Sequence, residues 1–188
     1  MENSKQKENL EINIRMARNE DAETIVNFQI ACAMETEGVR LSPRTVEAGV
    51  LRIISFMGIS SAQGLGEYII VQNEDNDEVI ACCLLQNQFS DWHCGYYAMV
   101  ESVYVHPDYR GCGVLQKMYA YVEDLVLRSG QVHEMRSTVS FENETMHKAL
   151  KKMNWHETKY KVFGKEPKDI IPTERPKEIW SKGKKYYP

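Results

Sequence analysis

Residues Val103-Tyr104-Val105-His106-Pro107-Asp108-Tyr109-Arg110-Gly111-Cys112-Gly113-Val114-Leu115 join a strand, a break and a helix start in an order that can hold an anion. Val103 to His106 is β-branched and aromatic, which suits a buried or half-buried strand. Pro107 cannot donate to a ladder and ends it. Gly111 and Gly113 let the backbone turn sharply. From Val114 onward, Leu115, Met118, Tyr119, Val122, Leu125 and Val126 recur at helical spacing. The first N–H groups of such a helix have no intrahelical partner and lie at the positive end of the macrodipole, a setting for phosphate or pyrophosphate. The spacing is neither the three-glycine dinucleotide fingerprint nor the Gly-Lys-Ser/Thr phosphate loop. Taken alone, the junction reads equally as a tight turn or as an anion site.

The elements that must position this junction can be read on either side of it. Ile14 to Ala17 reads as a short strand, followed by Asn19 as a helix cap with Glu20 and Asp21 in the first turn. Asn19 to about Glu37 is predicted helical, with Ile25, Phe28, Gln29, Cys32 and Ala33 on one face and Gly38 closing it. Ser42-Pro43 starts a second helix carrying Val46, Val50, Ile53, Ile54 and Met57. Strands are predicted over Glu67–Gln72, Glu78 to about Phe89, and from the Asp91–Gly95 turn to His106, with an acid-and-amide turn at Glu74–Asp77. Val132–Val139 and Trp155–Phe163 read as two further strands. The order implies an α/β chain with a mixed sheet flanked by helices.

These residues resemble a known family. Tyr109-Arg110-Gly111-Cys112-Gly113-Val114 after Val105-His106-Pro107 is similar to motif A, Arg/Gln-x-x-Gly-x-Gly/Ala, of the GCN5-related N-acetyltransferases (GNAT superfamily). Leu115 stands where a second small residue is usual. Asn143-Glu144-Thr145-Met146-His147-Lys148-Ala149-Leu150-Lys151-Lys152-Met153-Asn154-Trp155 resembles the family's Asn-x-x-Ala-x-x-x-Tyr-x-x-x-Gly-Phe segment. Leu150 replaces the usual tyrosine, whose hydroxyl often protonates the departing thiolate. Asn154 replaces the helix-ending glycine, a mild change because asparagine tolerates the left-handed cap. The resemblance implies a mixed, mostly antiparallel central sheet of about six or seven strands flanked by about four helices. It spans residues 12–163, between a polar N-terminal extension (1–11) and a Pro/Lys-rich tail (164–188).

The resemblance also implies acetyl-coenzyme A as acetyl donor. The residues expected to hold it are Val103, Tyr104, Val105, Arg110, Gly111, Cys112, Gly113, Val114, Leu115, Gln116, Asn143 and His147. Transfer to an amine makes further demands. A free alkylammonium has a pKa near ~10.4, so about one molecule in 10³ is neutral and competent at neutral pH, and a base, a water relay or desolvation must help. Glu101 and Tyr104 are the expected catalytic residues, with His106 a further candidate base. In a regular strand Glu101 and Val103 share one face and Tyr104 the other, unless a bulge shifts the register. A backbone N–H near Val103 to Val105 is expected to polarise the thioester carbonyl. Glu35, Glu37 and Trp92 are expected on the acceptor side, and no metal is expected.

Composition narrows the classes. With 188 residues and 43% hydrophobic content, the chain can bury one sizeable core. A net charge of −4 and a pI near 5.8 argue against broad attraction to nucleic acid or anionic membrane. No apolar run approaches the ~18 residues needed to span a bilayer, and the first residues lack an apolar signal core. Cys32, Cys82, Cys83, Cys94 and Cys112 are an odd set without paired C-x-x-C spacing, which points to reduced thiols and a cytoplasmic setting. The tail reads either as a surface segment or, through Ile170, Ile171, Ile179, Trp180, Tyr186 and Tyr187, as an arm docked on a second subunit of a homodimer. The expected activity is acetyl transfer from acetyl-coenzyme A to a small-molecule or peptide amine. The alternative is a non-catalytic module that binds the same ligand as a sensor.

Overall fold

A computed structural model describes residues 10–56 and 65–165. The strands are β1 (Ile12–Met16), β2 (Glu67–Asn73), β3 (Val79–Ser90), β4 (Gly95–Val105) and β5 (Val132–Arg136). The helices are α1 (Ala22–Glu37), α2 (Pro43–Ser55), α3 (Val114–Ser129) and α4 (Glu144–Lys152), with single 3-10 turns at Asn19–Asp21 and Pro107–Tyr109. The strands lie in one sheet in the order β1-β2-β3-β4-β5, antiparallel throughout except for the parallel β4–β5 pair. The order of elements agrees with the sequence reading up to α4.

Alternating residues of β2 and β3 face opposite layers, as the pleat requires. On one face Tyr68, Ile70, Cys82, Leu84 and Tyr104 pack with Ile25, Phe28, Val50 and Ile54 of α1 and α2. The other residues of the same strands, Ile69, Val71 and Cys83, are fully buried, as are Val114, Met118, Tyr119 and Val122 of α3; α3 packs against β2, β3, β4 and β5. The sheet is thus a two-sided core, with α1 and α3 held on opposite sides of β4. All five cysteines carry free thiols. Among the described residues no helix is long and apolar enough to cross a membrane.

The start of α1 is fixed by an acid, though not by the residue expected. Asn19 opens the 3-10 turn, and the acceptor is the buried Asp21. Its carboxylate takes bonds from Arg15 Nη1 (2.7 Å), Arg15 Nη2 (3.0 Å) and the Arg18 N–H (2.6 Å). Arg15 sits on β1, so this bidentate pair ties the first turn of the α1 segment to the sheet edge. At the other end, Gly38 adopts φ +65° and closes the helix as read.

The chain divides into two units, residues 1–154 and 155–188. In the first, α4 ends at Lys152 with Met153 as its cap, and Asn154 just beyond takes φ +64° in place of a glycine. In the second, the described residues 155–165 contain no strand where one was expected over Trp155–Phe163. The segment is irregular backbone with a bend at Lys159, and Val162 and Phe163 are 85% and 89% exposed. The described sheet therefore has five strands rather than six or seven. β5 is also shorter than expected, ending at Arg136 instead of Val139, because its ladder to β4 stops at the Met99–Arg136 pair. Met57, most of the N-terminal extension and the tail residues Ile170, Ile171, Ile179, Trp180, Tyr186 and Tyr187 lie outside the described residues.

Removing the Asp21 carboxylate leaves a mostly buried guanidinium and a backbone N–H without their acceptor. Asp21→Ala is therefore expected to lower stability by ~3 kcal/mol, read from denaturant unfolding. A loss well under ~1 kcal/mol would show that this pair does not anchor α1.

Candidate active site

Strand β4 carries the central irregularity. Its pairing with β3 runs Cys82–Tyr104 and Leu84–Glu101, so Ser102 and Val103 together oppose Cys83. This is a bulge, and Ser102 adopts φ +52°, a left-handed conformation unusual for a residue with a Cβ. Because Cys82 and Leu84 share a face, Glu101 and Tyr104 also share one. The regular alternation, which would separate them, is broken by the extra residue.

Before the bulge is reached, β4 and β5 part after the Met99–Arg136 pair. Ser137 Oγ donates to Val100 O (2.6 Å), and the Thr138 N–H donates to Glu101 Oε1 (3.2 Å), so side chains replace the ladder. Glu101 is half-buried in this fork. Burial pushes its carboxyl above the ordinary 4.5, with Thr138 pulling the other way. The His106 N–H donates to Ile80 O (2.8 Å), so the neighbouring Val105 turns its own N–H and C=O away from β3.

The turn after β4 is shaped by its glycines. Gly111 and Gly113 take φ +79° and +78°, and a Cβ built on either meets nothing within 4 Å, so the space before the turn is open. Gly113 is the N-cap of α3 and has no side chain to cap it. The first intrahelical bond is Lys117 N–H to Gly113 O (3.0 Å), which leaves the N–H groups of Val114, Leu115 and Gln116 without an intrahelical acceptor. Val114 is buried against the sheet, Leu115 half-buried and Gln116 exposed. Leu115 thus directs bulk toward the core without closing the turn. N–H groups left open at a helix start are donors of the kind that can hold an anion.

Arg110 does not aim its side chain over this turn. Its Nε donates to Val105 O (2.8 Å), and its Nη2 to Glu35 Oε2 (2.7 Å). The guanidinium lies 5.3 Å from the Tyr104 ring centre, and the Tyr104 hydroxyl donates to Glu35 Oε1 (2.9 Å). Tyr104 is buried and packs 5.0 Å from Phe28. Burial alone would raise the Glu35 carboxyl, but the bonds from Arg110 and Tyr104 outweigh it and hold it below its ordinary value. Burial and the Glu35 carboxylate together push the Tyr104 phenol up. Glu35, expected to face a substrate, is thus spoken for by two partners.

The remaining sequence candidates fall elsewhere. Cys112 Sγ sits 3.8 Å from Arg110 O inside the turn. Asn143 caps α4 by accepting the Met146 N–H (3.1 Å), and His147 Nε2 lies 2.9 Å from Ser140 O, so both serve their own helix end. Glu37 is exposed at the last residue of α1. Trp92 is 83% exposed at the β3–β4 tip. At about 3.3 Å per residue, the strand from Gly95 to Glu101 sets Trp92 on the order of 20 Å from the fork. His106 lines a separate open hollow of about 420 Å³, with Arg15, Glu20, Thr24, Phe28 and Glu78, whose lining includes none of residues 110–116. Ser102, Thr138 and the bulge contacts of Gln29 had no motif to announce them. The one available signal was a glutamine on an otherwise apolar helix face, since a polar group facing a core needs a partner.

The Glu35 network has a pH signature. A carboxyl held below its ordinary value contributes stability that is complete above that value, 4.5, and lost as pH falls through the lower folded value. Both partners are more than one-third exposed, so Glu35→Gln is expected to cost no more than ~1 kcal/mol at neutral pH. The difference from wild type should shrink in thermal scans below pH 4.5. A deficit that is constant down to the acid limit would contradict the network.

The chain is similar to a crystal structure of a possible acetyltransferase from Clostridium difficile 630, at 28% identity and TM-score 0.73, covering 84% of this chain and 98% of that one. The aminoglycoside N-acetyltransferase AAC(6')-Iy in complex with CoA shares the fold at 17% identity and TM-score 0.61, covering 85% and 97%. So does the ribosomal-protein-alanine N-acetyltransferase from Brucella melitensis, at 11% identity and TM-score 0.64, covering 83% and 99%. None of the curated proteins compared matches the chain. The model of the Acetyltransferase (GNAT) family matches residues 47–155, more than half of the sequence and all of the β4–α3 junction, and the chain belongs to that family.

Proposed function

We propose that this acetyltransferase moves the acetyl group of acetyl-coenzyme A to an amine on a small molecule, amino acid or peptide. The observation that carries the reading is the open first turn of α3, directly continuous with a bulged β4 that has left its neighbour. Val114, Leu115 and Gln116 would hold the pyrophosphate through their N–H groups, with Gly111, Cys112 and Gly113 shaping the turn. Acetyl-coenzyme A supplies an acetyl group activated as a thioester. The CoA complex and aminoglycoside acceptor of one fold relative support this class of donor and acceptor.

The chain's own residues supply the rest. In the Glu101 carboxylate, half-buried and raised by burial, the fork has a base of useful strength for the proton that an attacking amine must shed. The Val103 N–H at the bulge supplies a donor for the carbonyl oxygen as charge develops there. The amine nitrogen forms the new C–N bond, the C–S bond breaks, and its electron pair leaves on sulfur. Tyr104, bound to Glu35, shapes the wall of the site instead of titrating in it. The free thiols support a reducing, cytoplasmic setting. Leu150 on α4 offers no proton to the departing thiolate, and that is the observation favouring a sensor. Tight binding without turnover on any amine would establish the sensor instead.

Two outcomes are expected. Acetyl-coenzyme A should raise the melting temperature, by the equivalent of ~2.7 kcal/mol at 100 times its dissociation constant. Gly113→Asp should abolish binding in calorimetry, since a carboxylate would meet the phosphates, while keeping the fold at a cost of ~1–2 kcal/mol for the left-handed turn. Wild-type affinity in the folded variant would move the phosphate elsewhere.

A base works only when deprotonated, so kcat/KM should rise with pH through the Glu101 value, above 4.5. Glu101→Gln should lower kcat by ~10²–10⁴ and remove that acidic limb. An unchanged limb in the variant would assign the base to another group.

A further inference from the structure

The peptide that forms the bulge is gripped from one side only. Gln29 Nε2 on α1 donates to Ser102 O at 3.2 Å and lies 3.6 Å from Cys82 Sγ. Cys82 Sγ is itself 4.0 Å from the same oxygen. One turn further along α1, Cys32 Sγ lies 3.7 Å from Val103 O. Ser102 O can only accept, so the Gln29 amide must present its NH₂ group there. All of these groups are half-buried or buried. Two consecutive carbonyls of β4 are therefore turned out of the ladder and toward α1.

A trans peptide has its N–H antiparallel to the preceding C=O. Holding Ser102 C=O toward α1 aims the Val103 N–H to the opposite side, away from α1. The left-handed Ser102 is a conformation that persists only where surroundings over-determine it. Gln29 is the strongest such constraint on it, being the one uncharged amide donor among the groups that touch it.

We propose that Gln29, seconded by Cys32, is a positioning residue that aims the Val103 N–H at the thioester carbonyl oxygen. The inference rests on the acetyl-transfer reading above and adds that donor alignment in the fork is set from the far side of the strand by α1. Loss of Gln29 would leave the pyrophosphate turn at Gly113 intact, because no Gln29 contact reaches it. Carbonyl polarisation and donor-site affinity should thus separate.

The test uses the full chain and acetyl-coenzyme A labelled with ¹³C at the acetyl carbonyl. In wild type the bound carbonyl resonance should move downfield as its oxygen accepts a hydrogen bond. In Gln29→Met, which keeps the length and removes the donor, more than half of that movement should vanish. The affinity for CoA, which has no carbonyl at that position, should stay within about twofold in calorimetry. On an accepted amine, kcat should fall about 10-fold or more with KM for acetyl-coenzyme A little changed. A folded Gln29→Met with the full wild-type carbonyl shift overturns the proposal. Should that variant fail to fold, Gln29→Glu decides it. A protonated carboxyl can donate to Ser102 O and an ionised one cannot, so the carbonyl shift should recover as pH is lowered. A shift independent of pH would overturn the proposal. Failure of wild type to bind acetyl-coenzyme A at all would sink the donor reading itself, and this inference with it.

Discussion

One extra residue in β4 governs the site. At Ser102 the strand takes a left-handed step. The step puts Glu101 and Tyr104 on a common face. It lies three residues beyond Met99, where β5 stops pairing, so backbone groups that a continuous sheet would consume are available between the two points. A polar fork inside a sheet would normally be costly, because unpaired backbone groups away from water carry a penalty of ~1–3 kcal/mol each. Here the cost is met by side chains. Gln29 and Cys32 take the displaced carbonyls on one side, while Ser137 and Glu101 bridge to the departing strand on the other.

The two helices flanking β4 divide the work. The helix α3 brings the first-turn N–H groups and their dipole to the end of the strand, a fixed partial charge that needs no titratable group. α1 works from the opposite layer. Its buried face holds the core, its Gln29 and Cys32 hold the bulge, and its last turn reaches the Arg110 and Tyr104 side chains through Glu35. The Asp21–Arg15 pair then fixes the helix start to β1. α1 thus runs as a brace from the sheet edge at Arg15 to Arg110 in the glycine turn.

The fold was legible in the sequence wherever local chemistry and long-range pairing agreed. The glycine-marked junction, the Gly38 cap and the Ser42-Pro43 helix start all formed as read, because each is decided by backbone geometry within a few residues. Asn154 is another such case, its left-handed cap being tolerated by an asparagine. The strand expected over Trp155–Phe163 failed for the opposite reason. A strand is a property of a pair, which the residues of one segment cannot specify by themselves. The same logic shortened β5. Within the site, the glycine turn was visible while the bulge was foreseen only as a condition. Ser102 is no glycine, and nothing in its identity marks a positive φ. Arg110 and Glu35 were assigned separately, to phosphate and to substrate. Their pairing links residues 75 apart in sequence, a relation that spacing alone cannot encode.

Acetyl transfer as proposed requires the donor's phosphates to sit in the open turn of α3. Amide chemical shifts of the ¹⁵N-labelled protein, followed as CoA is added, test this most directly. The largest changes are expected on Gly113, Val114, Leu115 and Gln116, with smaller ones along Val103 to Val105. Changes centred instead on the hollow between Glu20, Thr24, Glu78 and His106, or spread without focus, would contradict it.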